Sequence, residues 1–163
     1  SKASSGHLPM KRETIDIGRL LEQTLGEMDE ELCESGFQLK KDYPLTGMLV
    51  LCDGLHMHRV FQNLFDNALK YACPQTRIFI HASQRSDQFC EIRIRNTSRV
   101  PLDFDPEEIT KRFVRGEKAR TGEGSGLGLA IAKTYTESCG GQFHIAIDDD
   151  CFIAVICLPS ITS

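Results

Sequence analysis

His58-Arg-Val-Phe-Gln-Asn-Leu-Phe-Asp-Asn-Ala-Leu-Lys-Tyr71 carries two patterns at once. Met57, Val60, Phe61, Leu64, Phe65 and Ala68 recur at helical spacing and predict the buried stripe of an amphipathic helix from about Gly54 to Ala72. Asp53 is placed to cap its start. Asn63, Asn67, Lys70 and Tyr71 stand at offsets of four, seven and eight residues, which puts them on adjoining parts of a second stripe. A polar stripe is ordinarily just a solvated face. Two amides, a cation and an aromatic are also the parts that meet a metal, a phosphate and a base. In that reading Asn67 offers a neutral oxygen to Mg²⁺, Lys70 meets phosphate as a mobile point charge, and Tyr71 lies against a nucleotide.

Working outward, Glu13 to Ile17 reads as a short edge strand. Leu20, Leu21, Leu25, Met28 and Leu32 predict one helix from Gly18 to about Cys33, ended by Gly36. Phe37–Tyr43 and Met48–Cys52 read as strands, as do Arg77–Ala82 and Phe89–Arg95, whose alternation fits a sheet with one solvated face. Apolar content thins from Asn96 to Gly124, with a short helical turn expected around Pro106–Phe113. A helix from Ser125 to Ser138 and a hairpin of Gln142–Ile147 with Phe152–Leu158 close the chain. These elements define an α+β, two-layer α/β sandwich: about three helices on one face of a mixed, mostly antiparallel sheet.

At 163 residues with 40% apolar content, the chain suffices for one domain with a sizeable core. Residues 13–160 are expected to form it, with 1–12 as a linker. A formal charge of −4 argues against nucleic acid as a partner. No apolar run approaches the roughly 20 residues of a membrane span. The seven cysteines contain no Cys-x-x-Cys, a pattern that fits reduced thiols better than disulfides or zinc. His56 and His58, two residues apart on a helix, do not face each other, so they make a poor metal pair.

Downstream, Gly122-Glu-Gly-Ser-Gly-Leu-Gly-Leu129 is glycine-rich. It lacks the G-x-G-x-x-G spacing, and Gly128-Leu-Ala-Ile-Ala-Lys133-Thr134 lacks the second glycine of a P-loop. What survives is phosphate contact by amides at a helix start. Lys111, Arg112, Arg115, Lys118 and Arg120 crowd the preceding segment, either as a solvated loop or as a lid over triphosphate. Arg115 and Arg120 are the lid candidates, because they flank Gly116 and Gly122.

Three stretches resemble the catalytic and ATP-binding domain of sensor histidine kinases, within the Bergerat-fold (GHKL) group that includes gyrase and Hsp90. Asn63–Tyr71 resembles the N box, Ile109-Thr-Lys-Arg-Phe-Val-Arg-Gly116 the F box, and Gly122–Ala130 the G2 box. The similarity runs from about Thr14 to Pro159. The resemblance implies a mobile ATP lid and catalytic roles for Asn63, Asn67, Lys70 and Arg115. It implies Mg²⁺ on Asn67, and ATP held by Asn67, Lys70, Tyr71, Asn96, Arg115, Arg120, Gly122, Gly124, Ser125, Gly126, Leu127 and Gly128. Asn63 stands where ATP-hydrolysing relatives carry a glutamate, and an amide is no general base. That favours transfer to a protein acceptor over hydrolysis.

The family's G1 box, Asp-x-Gly-x-Gly, is altered to Asn96-Thr-Ser-Arg-Val100. An asparagine can still accept from an adenine amino group, without charge assistance. None of the five histidines is followed by Asp or Glu, as a phosphoacceptor histidine usually is. The expectation is therefore a catalytic fragment of a bacterial two-component sensor kinase. Its partners would be its own upstream phosphoacceptor hairpin and, through it, a response regulator. No nucleic acid and no direct membrane contact are expected. The parent would be a membrane-anchored homodimer with this part in the cytoplasm. Two alternatives stay open: a nucleotide-sensing pseudokinase scaffold, and a protein-serine kinase of the anti-sigma type.

Overall fold

The computed structural model describes residues 10–161 apart from 87, 104 and 108–126, and the backbone but not the side chain of Leu127. Strands β2 (Gln38–Asp42), β4 (Arg77–Gln84), β5 (Phe89–Thr97), β6 (Gln142–Asp148) and β7 (Cys151–Pro159) form one sheet in the order β2-β4-β5-β7-β6. Only β2–β4 is parallel; the other three pairings are antiparallel. Alternation fixes which side chains face inward. Ile78, Ile80, Cys90, Ile92, Ile94, Ile156 and Leu158 are buried, while Arg77, Phe79, Arg93 and Arg95 take the other face. The helices α1 (Ile17–Glu27), α3 (Gly54–Tyr71) and α4 (Leu127–Ser138) cover the inner face, and their apolar stripes complete the core. All six stripe residues expected in α3 are buried.

The two-layer mixed fold is as expected, with differences of detail. Strands β1 (Glu13–Asp16) and β3 (Leu49–Cys52) form a separate two-stranded antiparallel sheet. The single helix expected over Gly18–Cys33 is two, α1 and α2 (Asp29–Ser35), so four helices are described instead of about three. The break is at Met28, whose backbone (φ −106°, ψ 11°) leaves the helical region while its side chain stays buried. Asp29, Glu30 and Glu31 then fall in the first turn of α2, where acidic groups complement the helix dipole. Gly36 ends α2 in the left-handed conformation, φ 78°. Strand β5 runs two residues beyond its expected end, because β7 supplies ladder partners as far as Thr97 opposite Cys151. Pro106 and Glu107 are helical, and the remainder of the turn expected there lies outside the described residues.

The reduced-thiol reading is corrected at one pair. Cys52 and Cys139, 87 residues apart, are joined by a disulfide with a Cα–Cα distance of 5.2 Å. Both are buried, and tertiary packing alone brings them together. Cys33, Cys73, Cys90, Cys151 and Cys157 are free. Cys90 lies on the inner face, where burial pushes its thiol up to about 11.

Glu91 is the one charged residue of β5 that is buried. Its carboxylate accepts from Arg93 Nε at 2.8 Å and from Arg85 Nη1 at 2.7 Å. Burial alone would raise its pKa; the hydrogen bonds from the two arginines outweigh it and hold the carboxyl below its ordinary value. A depressed folded-state pKa gives stability that is present above the unfolded value and lost as pH falls through the folded one. The stability difference between the parent and Glu91→Gln should therefore be largest near neutrality and shrink on acidification. Denaturant titrations at pH 7 and pH 3 measure it. An equal difference at both pH values would show that the carboxylate charge contributes nothing.

Candidate functional site

Helix α3 begins where Asp53 Oδ1 accepts from the backbone N–H groups of Leu55 (3.0 Å) and His56 (3.2 Å), while Oδ2 accepts from Lys11 N–H at 2.9 Å. The capping expected of Asp53 is present, and it fixes where α3 starts. At 1.5 Å per residue, Asn63 and Tyr71 are then about 12 Å apart along the axis.

Helix α4 runs antiparallel beside α3. Cys52, just before α3, is bonded to Cys139, just beyond α4. Four residues forward on α3 and four back toward α4, His56 stacks on Tyr135 with ring centroids 4.2 Å apart. Seven further forward, and seven further back, Asn63 meets Gly128. A Cβ on Gly128 would lie 3.6 Å from Asn63 Cβ and 3.9 Å from its Oδ1, so the first turn of α4 rests against that amide. An α-helix start presents unpaired N–H groups and a partial positive charge.

The far end of α3 is tied to the end of β5. Ala72 pairs with Ser98, and Cys73 N–H donates to Thr97 O at 2.7 Å. Arg99 donates its N–H to Tyr71 O (2.8 Å) and its Nε to Lys70 O (2.9 Å), and its guanidinium lies 5.9 Å from the Tyr71 ring centroid. A cation on the last carbonyls of a helix is favourable. Asn96, one residue before this seam, faces inward and is 2% exposed.

The structure thus brings Asn63, Asn67, Lys70, Tyr71, Gly128 and Asn96 around one length of α3. Asn63 Nδ2 and Asn96 Nδ2 are enclosed and have no hydrogen-bond partner. Asn67 and Tyr71 are half-buried and Lys70 is exposed. Asp66, between the two amides, has its carboxyl raised, because burial outweighs the attraction of Lys70 and Arg59. Leu127 opens α4. Arg115, Arg120, Gly122, Gly124, Ser125 and Gly126 lie outside the described residues. The His56/His58 pair divides as its spacing implies: His56 faces Tyr135 and Asp53, and His58 Nε2 hydrogen-bonds Glu27 at 2.6 Å. Among the described residues no cluster of three metal-ligating side chains occurs. The role of Arg99 at the end of α3 had no signal in the sequence beyond a lone cation after a strand.

A sheet with helices on one face, two of those helices packed side by side with the Asn63 amide against Gly128, defines a two-layer α/β sandwich. The chain belongs to the family of histidine kinase-, DNA gyrase B- and HSP90-like ATPases, whose profile matches residues 52–160. It is 29% identical over 161 residues to the swarming motility regulation sensor protein RssA of Serratia marcescens, covering 98% of this chain and 34% of that protein. To the signal transduction histidine-protein kinase BaeS of Escherichia coli it is 28% identical over 148 residues, 90% of this chain and 31% of that one. The chain therefore spans about a third of the length of these relatives. Among solved structures, the catalytic domain of the histidine kinase ThkA superposes with a TM-score of 0.79 at 17% identity, covering 92% of this chain and 96% of that one. The mycobacterial sensor histidine kinase MprB superposes at 0.75 and 23% identity, covering 94% and 100%. The fold is that of histidine kinase catalytic domains.

Proposed function

We propose that this chain binds Mg²⁺-ATP between α3, the start of α4 and the end of β5, and transfers the γ-phosphoryl group to a histidine on a separate helical hairpin. One observation carries the reading: two enclosed amide nitrogens, on Asn63 and Asn96, are left unsatisfied beside the same stretch of α3. A buried donor without a partner costs about 1–3 kcal/mol, and a polar ligand or water removes that cost. Asn67 fits a Mg²⁺ site, since its side chain is half-buried and makes no hydrogen bond among the described residues. A magnesium ion bound there would neutralise charge on the phosphates, with Asn67 supplying one oxygen ligand. Lys70 adds positive charge from one turn on. Asn63, an amide against the start of α4, orients phosphate oxygens and cannot deprotonate water. The chemistry it supports is transfer, with the acceptor supplied from outside. Arg115 and Arg120 are proposed to contact the phosphates from a lid.

In the parent protein the acceptor would be an upstream hairpin, and a response regulator would receive the phosphoryl group. The parent would be a membrane-anchored homodimer with this domain in the cytoplasm. Among the described residues no helix is long and apolar enough to cross a membrane.

The test uses labelled ATP with Mg²⁺. The chain alone should bind the nucleotide at about 10–1000 μM, roughly −4 to −7 kcal/mol, and neither hydrolyse it appreciably nor label itself. Adding the hairpin should give a labelled product that is acid-labile, as phosphohistidine is. An acid-stable product would indicate a serine kinase instead. Asn96 in place of the family's aspartate favours a second reading, a nucleotide-sensing scaffold, which binding without any transfer to the hairpin would support. No binding at millimolar nucleotide would overturn both.

A further inference from the structure

Resting on the nucleotide reading above, we propose that Asn96 makes the base site ambidextrous, so that it accepts 6-oxopurine nucleotides as well as adenine nucleotides. Asn96 is 2% exposed and its Nδ2 has no hydrogen-bond partner. Its cross-strand neighbours are Ile78 on β4 and Phe152 on β7, which offer no polar group to hold the amide. The seam just beyond it is satisfied backbone to backbone: Cys73 N–H to Thr97 O, and Ser98 N–H to Asp150 O at 2.8 Å. Among the described residues no hydrogen bond holds the carboxamide in one orientation.

A carboxamide carries an acceptor and two donors, and a half-turn about its Cβ–Cγ bond exchanges them. In one orientation Oδ1 accepts from the adenine 6-amino group while Nδ2 donates to N1. In the other, Nδ2 donates to the 6-carbonyl of hypoxanthine or guanine while Oδ1 accepts from N1–H. Both pairings use both amide atoms, and both satisfy the donor that the protein leaves unpaired. A carboxylate at this position has no second option: it is acceptor only when ionised, and set against a 6-carbonyl it faces acceptor with acceptor. A site built to hydrogen-bond one group rejects an analogue that leaves buried polar groups unpaired, whereas an amide free to turn leaves none.

The experiment titrates the chain with Mg²⁺ and ADP, IDP or GDP by calorimetry, for the parent and for Asn96→Asp. IDP isolates positions 1 and 6 of the purine, because it lacks guanine's 2-amino group. The parent should bind ADP and IDP within about fivefold of one another. In Asn96→Asp the ratio should open to roughly tenfold or more in favour of ADP. A thermal melt of the variant confirms folding, and the parent's own ratio keeps the test decisive if the variant does not fold. Parent binding of ADP with IDP at least 30-fold weaker would overturn the ambidextrous site and leave the nucleotide reading standing. An unchanged ratio in a folded Asn96→Asp would likewise overturn it. Binding of none of the three nucleotides would overturn the nucleotide reading itself.

Discussion

Replacing Asn67 by alanine is expected to lower Mg²⁺-dependent phosphoryl transfer to the hairpin by about 100-fold or more, roughly 2.8 kcal/mol or above at about 1.4 kcal/mol per factor of ten. The side chain is half-buried and makes no hydrogen bond among the described residues, so its removal costs the fold little. The core stripe of α3 is carried by Met57, Val60, Phe61, Leu64, Phe65 and Ala68, none of which changes. Alanine is also the better helix former, by a few tenths of a kcal/mol. The melting temperature should therefore hold or rise slightly while transfer collapses. In the proposed Mg²⁺ site the variant would lose a neutral oxygen from a ligand set otherwise made of phosphate oxygens and water, where each protein ligand counts. The check is a labelled-ATP transfer assay run beside a thermal melt. Undiminished Mg²⁺-ATP binding by Asn67→Ala would reduce this stripe to a solvated face.

Much of this arrangement was legible because it is local. The two stripes on α3 follow from spacing alone, and the inward-facing rows of β4 and β5 follow from alternation. What the chain hid is non-local. The break at Met28 leaves the helical spacing of Leu20, Leu21, Leu25, Met28 and Leu32 intact, so a periodicity reading runs straight through it. The two extra residues of β5 exist because β7 pairs with them, and they place Asn96 in a strand where apolar thinning indicated a loop. The Cys52–Cys139 disulfide joins residues 87 apart and obeys no spacing rule. At the site, sequence selected Asn63 and Gly128 for separate reasons. Only the antiparallel register of α3 and α4 makes them neighbours, and that register is set by the disulfide and the His56–Tyr135 stack. The placing of Asn63 against Gly128 thus depends on contacts about two and three turns away from it, and a change at either clamp is a change to the site.

The same dependence on close backbone approach gives the largest expected effect on stability, at Gly18. This residue is buried in the first turn of α1, and a Cβ built on it would fall 2.0 Å from Pro44 O and 2.8 Å from both the carbonyl carbon and oxygen of Leu45. Those atoms are backbone, so no side-chain rotation relieves the overlap. The loop has little room to retreat, since Ile17 N–H donates to Met48 O at 2.8 Å and Gly47 N–H to Asp16 Oδ2 at 2.9 Å. Overpacking in a tight core costs about 1–3 kcal/mol and occasionally more, and a backbone clash belongs at the upper end. Gly18→Ala should thus destabilise by about 3 kcal/mol, lowering the melting temperature by roughly 6–12 °C for a chain of this size. Gly26 sits in the same helix, exposed, with nothing within 4 Å of the position a Cβ would take. There the only change is helix propensity, and Gly26→Ala should stabilise by about 1 kcal/mol. Urea titration of both variants against the parent separates the two effects, because one substitution in one helix is predicted to act with opposite signs eight residues apart. Equal effects at the two positions would mean that α1 does not lie against the Pro44–Leu45 backbone.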